Sequence, residues 1–202
     1  GGETRRYNKG ALRHIIPLRM RPLQYAVVAY VRNPVGRFVE ALRREVYPQH
    51  GHLPAHITLL PPRCLNGAEE TALETLGQIC ATVEPFEVSM SEVESFIPVT
   101  PTVFIRVEET VKLRELHDLL NAGIFRCEEQ WQYRPHLTIV KLATDQQAQA
   151  AIEISRQRWQ GFSGPRAITV DELTFVREGP DNRWIDLAPI PLGRSLASQA
   201  RE

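Results

Sequence analysis

Two stretches of the sequence resemble each other: Leu53-Pro-Ala-His-Ile-Thr-Leu-Leu60 and Tyr133-Arg-Pro-His-Leu-Thr-Ile-Val140. Each contains a His-x-Thr motif with aliphatic residues at its second and fourth positions and a proline just upstream. Side chains at positions i and i+2 of a β-strand point to the same face. The pattern therefore predicts two strands that each present a histidine and a threonine on one face and bury aliphatic side chains on the other.

Strand and helix patterns alternate along the rest of the chain. Strand-like runs cover residues 25–31, 54–60, 86–93, 102–107, 135–142, 167–176 and 183–187, and Pro61-Pro62 is expected to end the second run. Helical periodicity covers residues 34–46, 68–83, 111–120 and 144–158, with Thr144 as an N-cap. Short connections and half-polar strands favour an α+β fold with antiparallel or mixed sheets.

The order of the predicted elements is repeated. Strand, helix, His-x-Thr strand and helix occur before residue 83 and again between residues 102 and 158, and the two motif histidines lie 80 residues apart. Such a repeat predicts two halves related by a pseudo-twofold axis. Residues 22–190 are expected to form one bilobal domain, between a flexible basic arm at 1–21 and a polar tail at 191–202.

The composition narrows the classes of substrate and partner that this chain is expected to bind. Lys plus Arg and Asp plus Glu number 24 each, so the broad positive field of a protein that coats long nucleic acid is missing. We expect RNA ends, short oligonucleotides or small cyclic nucleotides as substrates. The absence of CxxC spacing and of long apolar runs favours a cytoplasmic protein without membrane contact, and we expect a monomer.

The paired motifs suggest a specific chemistry. One histidine can act as general base and the other as general acid, because imidazole titrates near neutral pH. Two threonine hydroxyls can hold the non-bridging oxygens of a phosphodiester. Neither motif supplies the carboxylates on which two-metal phosphatases depend, so the scheme needs no metal or other cofactor. Hydrolysis of a 2′,3′-cyclic phosphate fits it well.

These motifs resemble those of the 2H phosphoesterase superfamily, and within it the 2′-5′ RNA ligase and cyclic phosphodiesterase group. The resemblance covers about residues 23–188. It implies a bilobal, pseudo-twofold α+β fold in which two antiparallel sheets line a central cleft and helices lie outside. It also implies His56 and His136 as acid and base, with Thr58 and Thr138 holding phosphate. We favour His136 as the base, although the near-symmetry leaves the reverse assignment open.

Four further residues are candidates for substrate binding. Arg134 falls on the same strand face as His136, and Arg63 follows the first motif closely enough to swing over a cleft. Phe104 lies on the polar face of its strand, where it either stacks on a base or packs under a neighbouring loop. Tyr133 either reaches phosphate or has a plain surface role.

Other interpretations remain open at this stage. The same cleft could belong to a non-catalytic protein that binds a nucleotide or an RNA end. His50, His52 and His56 form a His-x-His-x3-His pattern that could hold a metal ion. His117 lies beside a leucine stripe in a predicted amphipathic helix, and we expect it to be solvated.

Overall fold

The computed structural model of the protein describes residues 22–50, 53–108, 111–180 and 183–193, without the side chain of His50. The predicted arm at 1–21 and residues 194–202 of the predicted tail lie outside the described residues. Residues 191–193, which we assigned to the tail, continue the fold: Pro191 ends the last strand and Leu192 is buried. None of the helices in the described ranges has the length and apolar character that a bilayer crossing needs.

The described residues form eight strands and four α-helices. The strands are β1 (Tyr25–Tyr30), β2 (His56–Arg63), β3 (Phe86–Ser95), β4 (Thr102–Val107), β5 (His136–Lys141), β6 (Ala167–Val170), β7 (Glu172–Glu178) and β8 (Trp184–Pro191). The helices are α1 (Pro34–Val46), α2 (Glu69–Ala81), α3 (Val111–Leu120) and α4 (Asp145–Gln160). Short 3-10 turns cover Pro48–His50 and Gly123–Phe125. We call the segment from β1 to α2 the first half and the segment from β4 to α4 the second half.

Strand partners explain two of the differences between the predicted and the observed strand boundaries. The run at 167–176 is two strands, because β6 pairs with β3 whereas β7 pairs with β1. Pro61-Pro62 does not end β2, since pairing with β1 resumes where Tyr25 lies opposite Arg63. The prolines lie at an irregularity in that ladder, where a missing N–H is tolerated.

All eight strands belong to one antiparallel sheet with the order β6-β3-β4-β5-β2-β1-β7-β8. The α+β class and the antiparallel pairing are therefore confirmed. We expected two sheets, but β2 and β5 join the strands into a single sheet through one register pair, Ile57 opposite Leu137. The two strands that carry the His-x-Thr motifs thus lie side by side at its centre. The pseudo-twofold relation between the halves stays a prediction.

Helices α1 and α3 each pack against the motif strand of the other half. Helix α1 begins where the Asn33 side chain accepts hydrogen bonds from the amides of Val35 and Gly36, and the predicted Thr144 cap of α4 is confirmed. Helix α1 packs against β5, and α3 packs against β2. Each motif strand is therefore supported from behind by a helix of the other half.

Strand β2 contains a β-bulge directly after the motif threonine. Val28 pairs with Thr58 and Val27 with Leu60, so Leu59 is an extra residue without a partner in β1. A bulge shifts the alternation of faces by one residue. Consequently Leu59 and Leu60 are adjacent in sequence and both are fully buried.

Strand β5 contains a bulge at the equivalent position. Phe104 pairs with Thr138 and Val103 with Val140, which leaves Ile139 as the extra residue. Ile139 and Val140 are both buried, as their counterparts are in β2. Bulges next to active sites commonly re-aim side chains, so both bulges bear on the geometry of the motifs.

Candidate active site

The two His-x-Thr motifs face each other across the central strand pair. Because β2 and β5 are antiparallel and pair at Ile57 and Leu137, each motif histidine lies across from the threonine of the other motif. The histidines and threonines are half-buried, whereas Ile57 and Leu137 are fully buried. The four polar side chains therefore share one open face of the sheet, which we call the motif face, and the predicted alternation is confirmed.

Both histidines are oriented by the same local hydrogen bond. Nδ1 of His56 lies 2.9 Å from the carbonyl oxygen of Pro54, and Nδ1 of His136 lies 2.8 Å from that of Arg134. A carbonyl can only accept, so each Nδ1 carries a hydrogen and donates it. In the neutral form each Nε2 is then unprotonated and able to take up a proton.

The surroundings favour the neutral form of both rings. Burial lowers the pKa of His56, the positive charge of Arg43 lowers it further, and the hydrogen bond to Pro54 opposes both effects. Burial also lowers the pKa of His136, which the hydrogen bond to the Arg134 carbonyl opposes and the charges of His56 and Arg134 reinforce. The two imidazoles thus interact with each other, and an anion between them would stabilise a protonated ring.

Two aromatic rings and an ion pair close the site beside His136. The His136 ring meets Phe96 edge-on at 5.0 Å between centroids and Phe104 at 5.2 Å. Arg134 lies over both phenyl rings and pairs with Glu94. Phe104 is on the motif face, as predicted, but it is fully buried beneath these groups. It supports the imidazole rather than stacking on a base.

Arg134 remains partly open to solvent, with 49% of its side chain exposed. Glu94 also binds Arg106, whose Nε lies 2.8 Å from the carboxylate. Arg106 lies opposite His136 in the β4–β5 register and donates to Ser91 at 2.6 Å. Two cations therefore flank the second motif, and our sequence reasoning had named only Arg134.

A cleft of about 800 Å³ opens on the other side of the motifs, over the first half of the sheet. His56, Thr58 and Thr138 form one wall of it. The remaining wall includes side chains of β1, β7 and β8: Ala26, Val28, Tyr30, Val176, Trp184 and Asp186. The cleft thus joins the motif residues to a partly apolar surface.

Tyr30 links His56 to the far wall of the cleft. Its hydroxyl donates to Oδ1 of Asp186 at 2.6 Å, and its ring stands edge-on to His56 with centroids 6.4 Å apart. Burial and the Asp186 carboxylate raise the pKa of Tyr30, so the phenol stays protonated. Neither Tyr30 nor Asp186 was predicted, because nothing in the sequence states that β1 pairs with β2 or that β8 extends the sheet beyond β7.

Arg63 does not reach the cleft, contrary to our expectation. Its guanidinium is buried and binds Glu129 at 2.5 Å, Asn121 at 2.6 Å and the Phe125 carbonyl at 3.0 Å. The reason is the continuation of β2 through the two prolines, which directs Arg63 into the interior. We therefore assign it a structural role.

Tyr133 and His117 bind the back of the first motif. Their rings stack at 3.9 Å, and the Tyr133 hydroxyl donates to the Thr58 carbonyl at 3.3 Å. The prediction that His117 is solvated is wrong: it is 4% exposed, and its Nδ1 lies 2.7 Å from the Leu59 carbonyl. Tyr133 therefore contacts strand β2 instead of opening onto the cleft.

Arg43 is a site residue that our sequence reasoning missed. It is 4% exposed and donates from Nε to the Ile139 carbonyl at 2.7 Å and from Nη2 to the Thr138 carbonyl at 2.8 Å. Nη1 donates to the Leu53 carbonyl. One signal was available: an arginine interrupts the apolar face of α1 formed by Val39 and Leu42.

Of the alternative histidine cluster, His52 and the side chain of His50 lie outside the described residues. Within the described ranges, no three His, Cys, Asp or Glu side chains converge as a metal site would require.

Proteins of known sequence and structure resemble this chain over most of its length. A protein of Oceanobacillus iheyensis named "Putative phosphoesterase" is 27% identical over 176 residues, which cover 85% of this chain and 99% of the relative. A relative from Bacillus cytotoxicus with the same description is 26% identical over 163 residues, covering 80% and 92%.

Solved structures share the fold. E. coli LigT complexed with NADP+ superposes with a TM-score of 0.58 at 15% identity, over 86% of this chain and 99% of LigT. A protein of Thermus thermophilus gives a TM-score of 0.58 at 18% identity, over 84% and 98%.

A family model described as the 2′-5′ RNA ligase superfamily matches residues 31–182. This range contains both His-x-Thr motifs, all four helices and more than half of the chain. The resemblance to the 2H phosphoesterases noted from the motifs is therefore confirmed, and the chain belongs to the 2′-5′ RNA ligase superfamily.

Proposed function

We propose that this chain is a metal-independent phosphodiesterase that opens 2′,3′-cyclic phosphates or cleaves 2′-5′ linkages of short RNA-type substrates. The observation that carries the proposal is the pairing of the two motifs, in which each histidine lies across from the other motif's threonine. A phosphate on the motif face would then meet an imidazole and a hydroxyl from each side. No cofactor is required.

The reaction balances with these groups alone. Water attacks phosphorus while Nε2 of the base histidine removes a proton from it. The bond from phosphorus to one ribose oxygen breaks, and that oxygen takes a proton from Nε2 of the acid histidine. The product is a phosphate monoester beside a free ribose hydroxyl, and solvent restores the protonation states. When a 5′-hydroxyl takes the place of water, the same groups open the cyclic phosphate and join the two ends: the base histidine removes the 5′-hydroxyl proton and the acid histidine protonates the leaving ribose oxygen.

Thr58 and Thr138 would donate hydrogen bonds to the two non-bridging oxygens. Such donors act most strongly on the extra negative charge that develops during attack. Arg134, which lies two residues before His136 and is 49% exposed, would add charge stabilisation from that side. The nucleotides named with LigT, NADP+ and 3′-AMP, support a nucleotide as the substrate class.

The asymmetry of the site supports a direction for the reaction. The cleft lies on the His56 side, where Tyr30 and Trp184 offer room for a nucleoside. The His136 side is closed by Phe96 and Phe104. A nucleoside in the cleft brings its ribose oxygens next to His56, so His56 would protonate the leaving oxygen and His136 would activate water.

The first prediction concerns both histidines. His56→Ala and His136→Ala should each lower kcat for a nucleoside 2′,3′-cyclic phosphate by ~10²–10⁴-fold, because each removes a proton-transfer group. The assay contains excess chelator, in which the wild type should turn over unchanged. His14→Ala, distant in sequence from both motifs, is the control. Wild-type binding without turnover would instead favour the nucleotide-binding alternative.

The second prediction concerns pH. The reactive free enzyme carries one proton on the histidine pair, and burial lowers the pKa of both rings below 6.5. That proton is lost as pH rises, so kcat/KM should fall about tenfold per pH unit above 6.5. Bound phosphate stabilises the imidazolium and should move the profile of kcat toward higher pH. A kcat/KM that rises from neutral to alkaline pH would contradict the histidine pair.

The third prediction separates acid from base. A thiolate leaving group needs little protonation, so a nucleoside 2′,3′-cyclic phosphate in which sulfur replaces the leaving ribose oxygen should lose much less activity in His56→Ala than the all-oxygen cyclic phosphate does. His136→Ala should impair both substrates about equally, because water still requires a base. The opposite pattern would exchange the two roles.

The fourth prediction concerns Trp184. Stacking of a base on an aromatic ring contributes about 1–3 kcal/mol, so Trp184→Ala should raise KM for a nucleoside cyclic phosphate by ~5–100-fold with little change in kcat. Glycerol 1,2-cyclic phosphate lacks a base and should be unaffected. Trp131→Ala is the control, since Trp131 is 64% exposed and outside the cleft. An equal loss with both substrates would exclude a base-stacking role.

A further inference from the structure

The two bulges create a requirement for hydrogen-bond donors behind the motifs. Leu59 and Ile139 have no partner residue in the neighbouring strands β1 and β4, and both are fully buried. A buried carbonyl that the sheet does not pair needs another donor. Beyond Ile57 and Leu137, moreover, β2 and β5 have no further register pair in which to satisfy each other.

Arg43 supplies the donors for the second motif. Its Nε binds the carbonyl of the bulge residue Ile139 at 2.7 Å, and its Nη2 binds that of Thr138 at 2.8 Å. The planar guanidinium holds its N–H groups in a fixed fork, so both carbonyls are held at a set spacing. Arg43 belongs to α1, which is part of the first half.

His117 and Tyr133 supply the donors for the first motif. Nδ1 of His117 lies 2.7 Å from the carbonyl of the bulge residue Leu59, and the Tyr133 hydroxyl binds the Thr58 carbonyl at 3.3 Å. Glu129 lies 3.2 Å from the other ring nitrogen of His117. His117 belongs to α3 of the second half, and Tyr133 lies three residues before His136.

The two sets of contacts are reciprocal. In each motif strand the carbonyls of the threonine and of the bulge residue after it are bound, and the donors come from the opposite half. Arg43 and His117 both lie in the last turn of the helix that precedes their own motif strand. Both reach across because α1 packs on β5 and α3 packs on β2.

We propose that Arg43, together with His117 and Tyr133, forms two reciprocal clamps that set the spacing of the His-x-Thr motifs. They are positioning residues, because they bind the backbone of the motifs. Arg43 also borders the cleft, but all three of its guanidinium nitrogens bind carbonyl oxygens. Two hydroxyls and two imidazoles can serve one phosphate only if their separation is held closely. Because β2 and β5 share a single register pair, the hydrogen bonds of the clamps hold the two motifs at this separation. The kinetic consequence of this inference rests on the proposed function.

The crossed arrangement has a direct test in hydrogen exchange. Arg43→Lys keeps the charge but loses the fork, and it should speed amide exchange in β5, in the half that does not contain Arg43. Tyr133→Phe removes only a hydroxyl, and it should speed exchange in β2. Arg44→Lys is the matched control, since Arg44 is the exposed neighbour on α1. Faster exchange confined to the half that carries each substitution would overturn the clamps.

Kinetics test the positioning role separately from stability. Tyr133→Phe should lower kcat for a nucleoside 2′,3′-cyclic phosphate by ~3–10-fold, and Arg43→Lys by ~10–100-fold. Tyr25→Phe removes a phenol hydroxyl from another tyrosine, at the end of β1 far from His56, and should leave kcat within about twofold. If Arg43→Lys and Tyr133→Phe both speed amide exchange in the opposite half but leave kcat unchanged, the positioning role is overturned.

The outcomes also separate this inference from the proposed function. A wild-type protein without turnover on cyclic phosphates refutes the proposed function, whereas the exchange pattern still decides whether the clamps exist. If the wild type turns over cyclic phosphates but each substitution speeds exchange only in its own half, the clamps are refuted and the proposed function stands.

Discussion

The site depends on one antiparallel contact, the pairing of Ile57 with Leu137 at the centre of the sheet. This register determines which side chains share the open face. A slip of one residue in either strand would turn its histidine and threonine into the helix layer and expose aliphatic side chains. Because both aliphatic residues are fully buried, the hydrophobic cost of such a slip is about 1.5–3 kcal/mol for each side chain that is moved into water. The core thereby enforces the register on which the chemistry relies.

Because β2 and β5 share only one register pair, some of their backbone carbonyls have no partner in a neighbouring strand. Side chains donate hydrogen bonds to these carbonyls instead. Burying the Arg43 guanidinium costs free energy, which is offset because three carbonyl oxygens accept its hydrogen bonds. Its charge also lowers the pKa of His56, so one side chain both holds the second motif and adjusts the imidazole of the first. Structure and protonation are coupled through the same group.

Sequence patterns of a few residues correctly predicted the features that depend only on neighbouring residues in the chain. The face shared by histidine and threonine follows from strand periodicity alone, and the N-cap at Thr144 follows from helix-end chemistry. The roles of Arg63 and His117 were wrong because burial depends on which elements become neighbours. The bulges had a faint signal, the two consecutive aliphatic residues after each motif threonine, but only the β1 and β4 registers reveal them. Arg43 could not be connected to Ile139, since nothing in the sequence states that α1 crosses onto β5.

The order of elements is repeated, but the two sides of the motif face differ in what covers them. On one side Phe96 and Arg134 pack onto His136 and leave little space. On the other, Trp184 lines an open cleft beside His56. Two identical acid–base groups on one phosphate would serve either direction of attack equally well. Unequal surroundings remove this equivalence, because the larger part of a substrate fits on one side only. In the proposed reaction, direction would therefore come from the side chains around the motifs, including those of strand β8, rather than from the motifs themselves.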